Sequence, residues 1–217
     1  CGPDREAATE RPLVVGCDMN FMPFEFKEDG EFKGFDIDLW KAIAGELGRD
    51  YRFRGMDFNG LIPALQTGSI DAALAGMTIT SDREKVVDFA YPYYDAGLLL
   101  LVRADAHDIR GVEDLGDKVL ATKLGTTSAD FAERVSPGQV KLFPNINGAY
   151  MELRAGGADA VVFDSPAVLY YMKTEGGDAV KTVGPLYQGQ SYGIAFPQGS
   201  PLRDDVNVAL LRLMENG

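Results

Sequence analysis

Apolar and polar positions along the chain switch between a period of two and a helical period, and the switches mark its elements. Leu13-Val14-Val15-Gly16-Cys17 is a short apolar run that predicts a buried strand. Over residues 36–47, Leu39, Trp40, Ile43 and Leu47 recur on one helical face, and Gly48 follows as a C-cap. Tyr51-Arg52-Phe53 alternates like a strand. A short helix through Leu61 and Leu65 and a strand over 70–74 come next, and Ser81-Asp82-Arg83-Glu84 has the capping-box spacing that predicts a further helix. The second half repeats this order, with strands predicted over 118–122, 140–143 and 159–163. Helices are predicted over 128–135 and 149–155, and another opens at Ser165-Pro166. Alternating strands and helices predict an α/β fold on largely parallel sheets.

An internal echo refines that picture. Leu65, Gly68, Asp71 and Ala72 line up with Leu153, Gly156, Asp159 and Ala160 in the pattern Leu-x-x-Gly-x-x-Asp-Ala, each time before an apolar strand. Either shared helix-to-strand turn chemistry or two similar lobes would produce it. Two lobes would place a ligand between them, where strand C-terminal ends meet. Two turn-rich aromatic segments, 91–97 and 188–193, then read as the crossings of a two-strand hinge. The expected division is lobe 1 over 13–95 and 193–217, lobe 2 over 96–192, and a flexible tether over 1–12.

Composition narrows the partners. Lys and Arg number 21 against 33 Asp and Glu, a net charge of −12, and no basic cluster exists to neutralise a phosphate backbone, so nucleic acid is not an expected partner. With 46% hydrophobic residues the chain carries enough apolar surface for a core. The longest apolar run, Leu98 to Val102, falls far short of the roughly 20 residues of a membrane span. Two cysteines and the single His107 make a Cys/His metal site unlikely on numbers alone, and neither metal nor cofactor is expected. Cys17 reads as a small core residue. Cys1, at the head of a polar stretch, looks like the lipid-bearing cysteine of a processed bacterial lipoprotein.

Four runs carry a family resemblance. Residues 18–26, beginning Asp18-Met19-Asn20-Phe21, the run Gly34-Phe35-Asp36-Ile37-Asp38-Leu39-Trp40, residues 74–83, and Lys123-Leu124-Gly125-Thr126-Thr127-Ser128 resemble the polar amino-acid branch of the bacterial periplasmic solute-binding proteins. Residues 56–67 and 143–153 look most similar to its glutamine-binding members. The resemblance implies a type II clamshell of two Rossmann-like α/β lobes. It also implies a non-enzymatic, monomeric receptor outside the cytoplasm, held to the membrane only through a lipid on Cys1, that closes on one amino acid and delivers it to an ABC transporter permease.

The resemblance also implies roles. Arg83 would grip the ligand's α-carboxylate, its guanidinium fork suiting two parallel hydrogen bonds, with the Thr78 hydroxyl and the amides near Thr127 and Ser128 beside it. Asp164, helped by carbonyls at Gly76 and Thr78, would take the α-ammonium. Asp18 and Lys123 would meet the two ends of a side-chain amide, which makes L-glutamine the expected ligand. Phe21 and Phe58 would sandwich its aliphatic stem. Taken singly, Arg83 reads as a solvated helix charge, Asp164 as an N-cap for the helix at Pro166, and the two phenylalanines as core; their joint placement in matched motifs favours the site. Phe163 and Thr127 stand where the enteric glutamine binder has His and Gly, which leaves arginine or broad polar specificity open. Family members continue past an Asn-Gly like Asn216-Gly217 into an aromatic helix, where this chain stops. The rival from another class is a cyclohexadienyl dehydratase-like enzyme on the same fold. It would want a carboxylic acid with a raised pKa, whereas cationic partners are expected to lower those of Asp18 and Asp164.

Overall fold

The structure, a computed structural model, describes residues 11–216. Cys1 lies outside them. Of the expected tether only Arg11 and Pro12 are described, and the Arg11 guanidinium pairs with both oxygens of Asp71 at 2.8 and 2.5 Å.

Strand β1 (Leu13–Cys17) is followed by a small antiparallel sheet of β2 (Asn20–Phe21), β3 (Glu25–Glu28) and β4 (Glu31–Lys33). Then come α1 (Phe35–Leu47), β5 (Tyr51–Gly55), α2 (Phe58–Gln66), β6 (Ala72–Ala73) and β7 (Asp88–Phe89). Strand β8 (Tyr94–Arg103) leads away to β9 (Leu120–Lys123), α3 (Thr127–Val135), β10 (Val140–Phe143), α4 (Ile146–Arg154), β11 (Ala160–Asp164) and α5 (Ser165–Tyr171). Strand β12 (Val180–Tyr192) returns to β13 (Ala195–Phe196) and α6 (Leu202–Asn216). Two five-stranded sheets result, ordered β5-β1-β6-β13-β7 and β10-β9-β11-β8-β12, and each is the centre of one α/β lobe. The largely parallel character expected of the sheets is carried by β5-β1-β6 and β10-β9-β11. The strands that cross or return, β8, β12 and β13, pair antiparallel. Strands β8 and β12 make the two crossings side by side, with Tyr94 opposite Tyr192 and Ala96 opposite Gln190.

The internal echo has a physical basis in both lobes. Gly68 and Gly156, at φ +66° and +79°, end α2 and α4 in the left-handed conformation that a side chain would resist. Three residues later the Asp turns back on the lobe's first parallel strand. The Asp71 carboxylate accepts the Val14 N–H at 2.8 Å, and Asp159 accepts that of Val119 at 2.9 Å. The backbone N–H of each Asp donates at 2.7 Å to the carbonyl of that same residue. One turn device therefore registers a helix against the neighbouring strand twice.

Two local expectations fail. The helix predicted at 81–84 is a single 3₁₀ turn, Arg83–Lys85. Thr80, not Ser81, accepts the Arg83 N–H, at 3.2 Å, and Val87 and Phe89 are buried on alternate positions, so strand packing in β7 ends the turn at once. The β2–β4 sheet has no counterpart in the predicted elements, since its residues alternate too briefly to register.

A buried carboxyl pair organises the base of the first lobe. Glu25 on β3 and Asp36 in the first turn of α1 are both fully buried, and both Glu25 carboxyl oxygens and Asp36 Oδ1 lack a hydrogen-bond partner among the described residues. Asp36 Oδ2 accepts the Gly76 N–H and the Tyr93 hydroxyl, each at 2.9 Å, tying helix, β6 loop and crossing together. Burial pushes the Glu25 carboxyl well above its ordinary value and Asp36 up to about 6, with mutual repulsion adding to the rise at Glu25. The folded state thus holds protons that the unfolded chain releases above its ordinary carboxyl range. The pair's contribution is full at low pH and is lost as pH rises through about 6 and beyond. Glu25→Gln, which keeps a neutral partner for Asp36 without needing a proton, should narrow the stability difference between pH 5.5 and pH 8 by about 1 kcal/mol or more. Urea denaturation at the two pH values measures this, and an unchanged difference would show that the Glu25 proton does not govern the pH dependence.

Candidate functional site

The C-terminal ends of the parallel strands of both lobes converge on one interlobe pocket. Asp18 follows β1, Gly76 and Thr78 follow β6, Lys123 and Asp164 are the last residues of β9 and β11, and Thr127 opens α3. All nine side-chain or backbone positions expected in a site line this cavity: Asp18, Phe21, Phe58, Gly76, Thr78, Arg83, Lys123, Thr127 and Asp164. Ala75, Thr126 and Phe163 complete the wall. Cys1, the expected lipid position, lies outside the described residues. Among those residues no group of His, Cys, Asp or Glu is placed to hold a metal ion, and no helix is long and apolar enough to cross a membrane. Cys17 is buried, and burial pushes its thiol up to about 12.

Two glycines permit the convergence. At Gly76, φ is +50° and a Cβ would lie 2.2 Å from the Phe21 ring. At Gly125, φ is +78° and a Cβ would press at 3.0 Å on Asn59, which belongs to the opposite lobe. Side chains at either position would wedge the wall or the lobes apart.

Charge dominates the cavity. Lys123, 1% exposed, donates from Nζ to Asp18 Oδ2 across the cleft. Asp18 Oδ1 meanwhile accepts the Met19 and Asn20 N–H groups at 2.7 and 3.1 Å. Lys123 Nζ also lies over the rings of Phe58, at 5.5 Å, and Phe21, at 6.0 Å. Burial pulls the Lys123 ammonium down to about 7, against the attraction of Asp164. Asp164 accepts hydrogen bonds from Tyr192, at 2.5 Å, and Ser128, at 3.2 Å. Contrary to the expected lowering, its carboxyl is raised, because burial outweighs those bonds and the attraction of Arg83 and Lys123.

Arg83 spans the lobes as well. One guanidinium nitrogen donates to the Thr78 carbonyl at 2.7 Å and another to the Gly125 carbonyl at 3.2 Å, and the group lies 5.3 Å from the Phe58 ring centre. Burial lowers its pKa, with Asp164 and Asp130 opposing, and leaves it a cation. The Thr126 side chain caps α3 by accepting the Ala129 N–H at 3.3 Å, and Thr126 and Thr127, at that helix N-terminus, line the cavity. Sequence reasoning missed Gln190. It is a polar residue in a turn-rich stretch with no periodicity, yet it is buried on β12 with Thr78 and Thr127 both donating to its amide oxygen.

Residues 13–217 match the family described as bacterial extracellular solute-binding proteins, family 3. The chain is 37% identical over 213 residues to the ABC transporter glutamine-binding protein GlnH of Bacillus subtilis (strain 168), spanning 94% of this chain and 77% of that protein. Among solved structures it is similar to an ancestral arginine-binding protein bound to arginine, with a TM-score of 0.91, 43% identity, and coverage of 96% of this chain and 95% of the other. It is similar too to an ancestral arginine-binding protein bound to glutamine, with a TM-score of 0.90, 44% identity, and coverage of 95% and 93%.

The buried ion pair makes a direct prediction. Lys123→Met leaves the Asp18 charge buried without its partner, a loss of about 3–5 kcal/mol for pairs of this kind. Adding Asp18→Asn in the same chain should recover most of the fall in thermal midpoint, since a neutral pair carries no stranded charge. Equal midpoints for the single and double variants would mean that the two charges are not coupled.

Proposed function

The chain belongs to the bacterial extracellular solute-binding proteins, family 3, and we propose that it is the receptor of an ABC amino-acid importer, binding L-glutamine between its lobes. The observation that carries this reading is the charge arrangement of the cavity. Asp18, Arg83, Lys123 and Asp164 are gathered there with net charge zero, which matches a zwitterion with a neutral side chain.

Arg83 and the first amides of α3 at Thr127 and Ser128 hold the α-carboxylate, as a guanidinium fork and a helix N-terminus suit an anion. Asp164 and the Gly76 carbonyl hold the α-ammonium, with Thr78 beside them. The side chain passes between Phe21 and Phe58 and ends at Asp18 and Lys123, where an amide satisfies both its acceptor and its donors. Glutamate would meet Asp18 there, and arginine would meet Lys123. We place the lobes at 13–95 with 193–217 and at 96–192, with the β8–β12 crossing as hinge. The receptor works as a monomer outside the cytoplasm, tethered by a lipid on Cys1, and hands its ligand to the permease.

The same site has an arginine reading, supported by the structural relatives and by one property of Lys123. A lysine pulled down to about 7 gives up its proton as pH rises through that value, leaving Asp18 free for a guanidinium. Isothermal titration against the twenty amino acids tests the function. Glutamine should bind most tightly at pH 6, Arg83→Ala should abolish binding of every amino acid, and the ratio of arginine to glutamine affinity should climb between pH 6 and pH 9. No binding to any amino acid would refute the receptor reading. The raised Asp164 carboxyl is the one observation that favours dehydratase-like chemistry. Turnover of arogenate or prephenate would establish that in place of simple binding.

A further inference from the structure

A second pocket lies beside the amino-acid cavity and shares no lining residue with it. The extended stretch after β1 divides the two, because its successive side chains point to opposite faces. Phe21 lines the cavity, whereas Asn20 and Met22 line the pocket. The facing wall belongs to the second lobe. Tyr150 comes from α4, Tyr171 ends α5, and Thr174 and Glu175 sit in the π-helical turn Met172–Gly176 that follows. Like the cavity, the pocket is therefore built from both lobes.

The chemistry of the second-lobe wall is one-sided. Glu175 is exposed, can only accept when ionised, and makes no hydrogen bond or ion pair among the described residues. The Thr174 hydroxyl gives its single proton to the Tyr170 carbonyl at 2.8 Å, and what its oxygen has left to offer is lone pairs. Tyr150 is 4% exposed, and its ring stacks on Tyr171 with centroids 3.9 Å apart. Its hydroxyl has no hydrogen-bond partner among the described residues, a cost that nothing in the fold recovers. Burial pushes that phenol well above its ordinary value, and Asp164, Tyr171 and Glu175 add to the rise, so this wall lies in the field of two carboxylates. Arg154 lines an adjoining groove that shares Tyr150 and Glu175, but the pocket itself is lined by no Lys or Arg. A free carboxylate, a hydroxyl with only lone pairs left and tyrosine rings all favour positive charge.

We propose that this pocket is a second ligand site, taking a small organic ammonium ion with an apolar body, and that a ligand there favours the closed lobes because it touches both. The site stands apart from the amino-acid reading above; only the coupling between the two ligands rests on it. A ligand in the pocket and an amino acid in the cavity favour the same arrangement of the lobes. Each should therefore tighten the other by the same factor.

Benzylammonium chloride is the probe and benzyl alcohol its neutral match, both titrated calorimetrically into the full chain at neutral pH. Benzylammonium should bind in the millimolar range or tighter, and about 10-fold more tightly than benzyl alcohol. Glu175→Gln, a change at an exposed side chain, should weaken benzylammonium about 5-fold and leave benzyl alcohol unchanged. Tyr150→Phe should weaken benzylammonium about 3-fold. Protein saturated with L-glutamine, or with L-arginine where that binds more tightly, should bind benzylammonium more tightly than free protein does. Competition by the amino acid would put the probe in the cavity and overturn the proposal. Equal affinity for the charged and neutral probes, or unchanged binding in both variants, would overturn it as well, and an affinity indifferent to the amino acid would overturn the coupling. Protein that binds benzylammonium but no amino acid would refute the receptor reading and leave this site standing; protein that binds an amino acid but not benzylammonium would do the reverse.

Discussion

Three buried charges and one half-buried arginine between two sheets are the constraint on which the rest of this structure depends. Removing Asp18, Arg83, Lys123 and Asp164 from water costs several kcal/mol for each ion unless it is compensated. The compensation comes from strand ends, the turns that follow them, the first turn of α3 and a crossing. Asp18 accepts two backbone amides of its own turn and the Lys123 ammonium from the facing lobe. Asp164 accepts Tyr192, the last residue of β12, and Ser128 of α3. Arg83 reaches the carbonyls of Thr78 and Gly125, one in each lobe. Two of these bonds, Lys123 to Asp18 and Arg83 to Gly125, span the lobes, so separating the lobes would take those partners away.

The crossings carry more than connectivity. Tyr93 precedes β8 and donates to Asp36, whose other donor is the Gly76 amide in the cavity wall. Tyr192 ends β12 and donates to Asp164 on the opposite wall. Gln190, two residues earlier, holds one threonine from each lobe. Both walls are thus hydrogen-bonded to the paired strands that join the lobes. A change in the angle between those strands is felt at Gly76, Thr78, Thr127 and Asp164 together, the coupling that a hinge needs if ligand contacts are to bias it.

Much of this was legible in the sequence, for identifiable reasons. Helix α1 has a clean apolar face and a left-handed Gly48 at φ +61°, so local rules sufficed. The echoed Leu-x-x-Gly-x-x-Asp-Ala encodes a turn whose partners lie on an adjacent strand, and the same bonds recur in each lobe. The residues that line the cavity were found through family motifs; charge pattern alone reads Arg83 as a surface residue. Gln190 and the Glu25–Asp36 pair escaped because composition treats polar residues as exposed, and their partners are remote in sequence. Thr78 and Gln190 are 112 positions apart. The helix expected at 81–84 failed where a capping signature met the alternating burial of Val87 and Phe89, and packing overrode propensity.

The same reasoning bears on why the side-chain end of the cavity is an ion pair rather than a lone polar group. A single carboxylate at Asp18 would favour a cation and a single ammonium at Lys123 an anion, each by the full cost of a stranded buried charge. Paired, they cancel, and the cavity rewards a group that can enter between them and satisfy both. A neutral amide has a carbonyl for the ammonium and N–H groups for the carboxylate. A methyl has neither and would break the pair without replacing it. A guanidinium could serve Asp18 and would then leave Lys123 charged against it, unless that lysine surrendered its proton, which its burial already favours. On the proposed amino-acid reading, selectivity at this end turns on whether Lys123 keeps its proton.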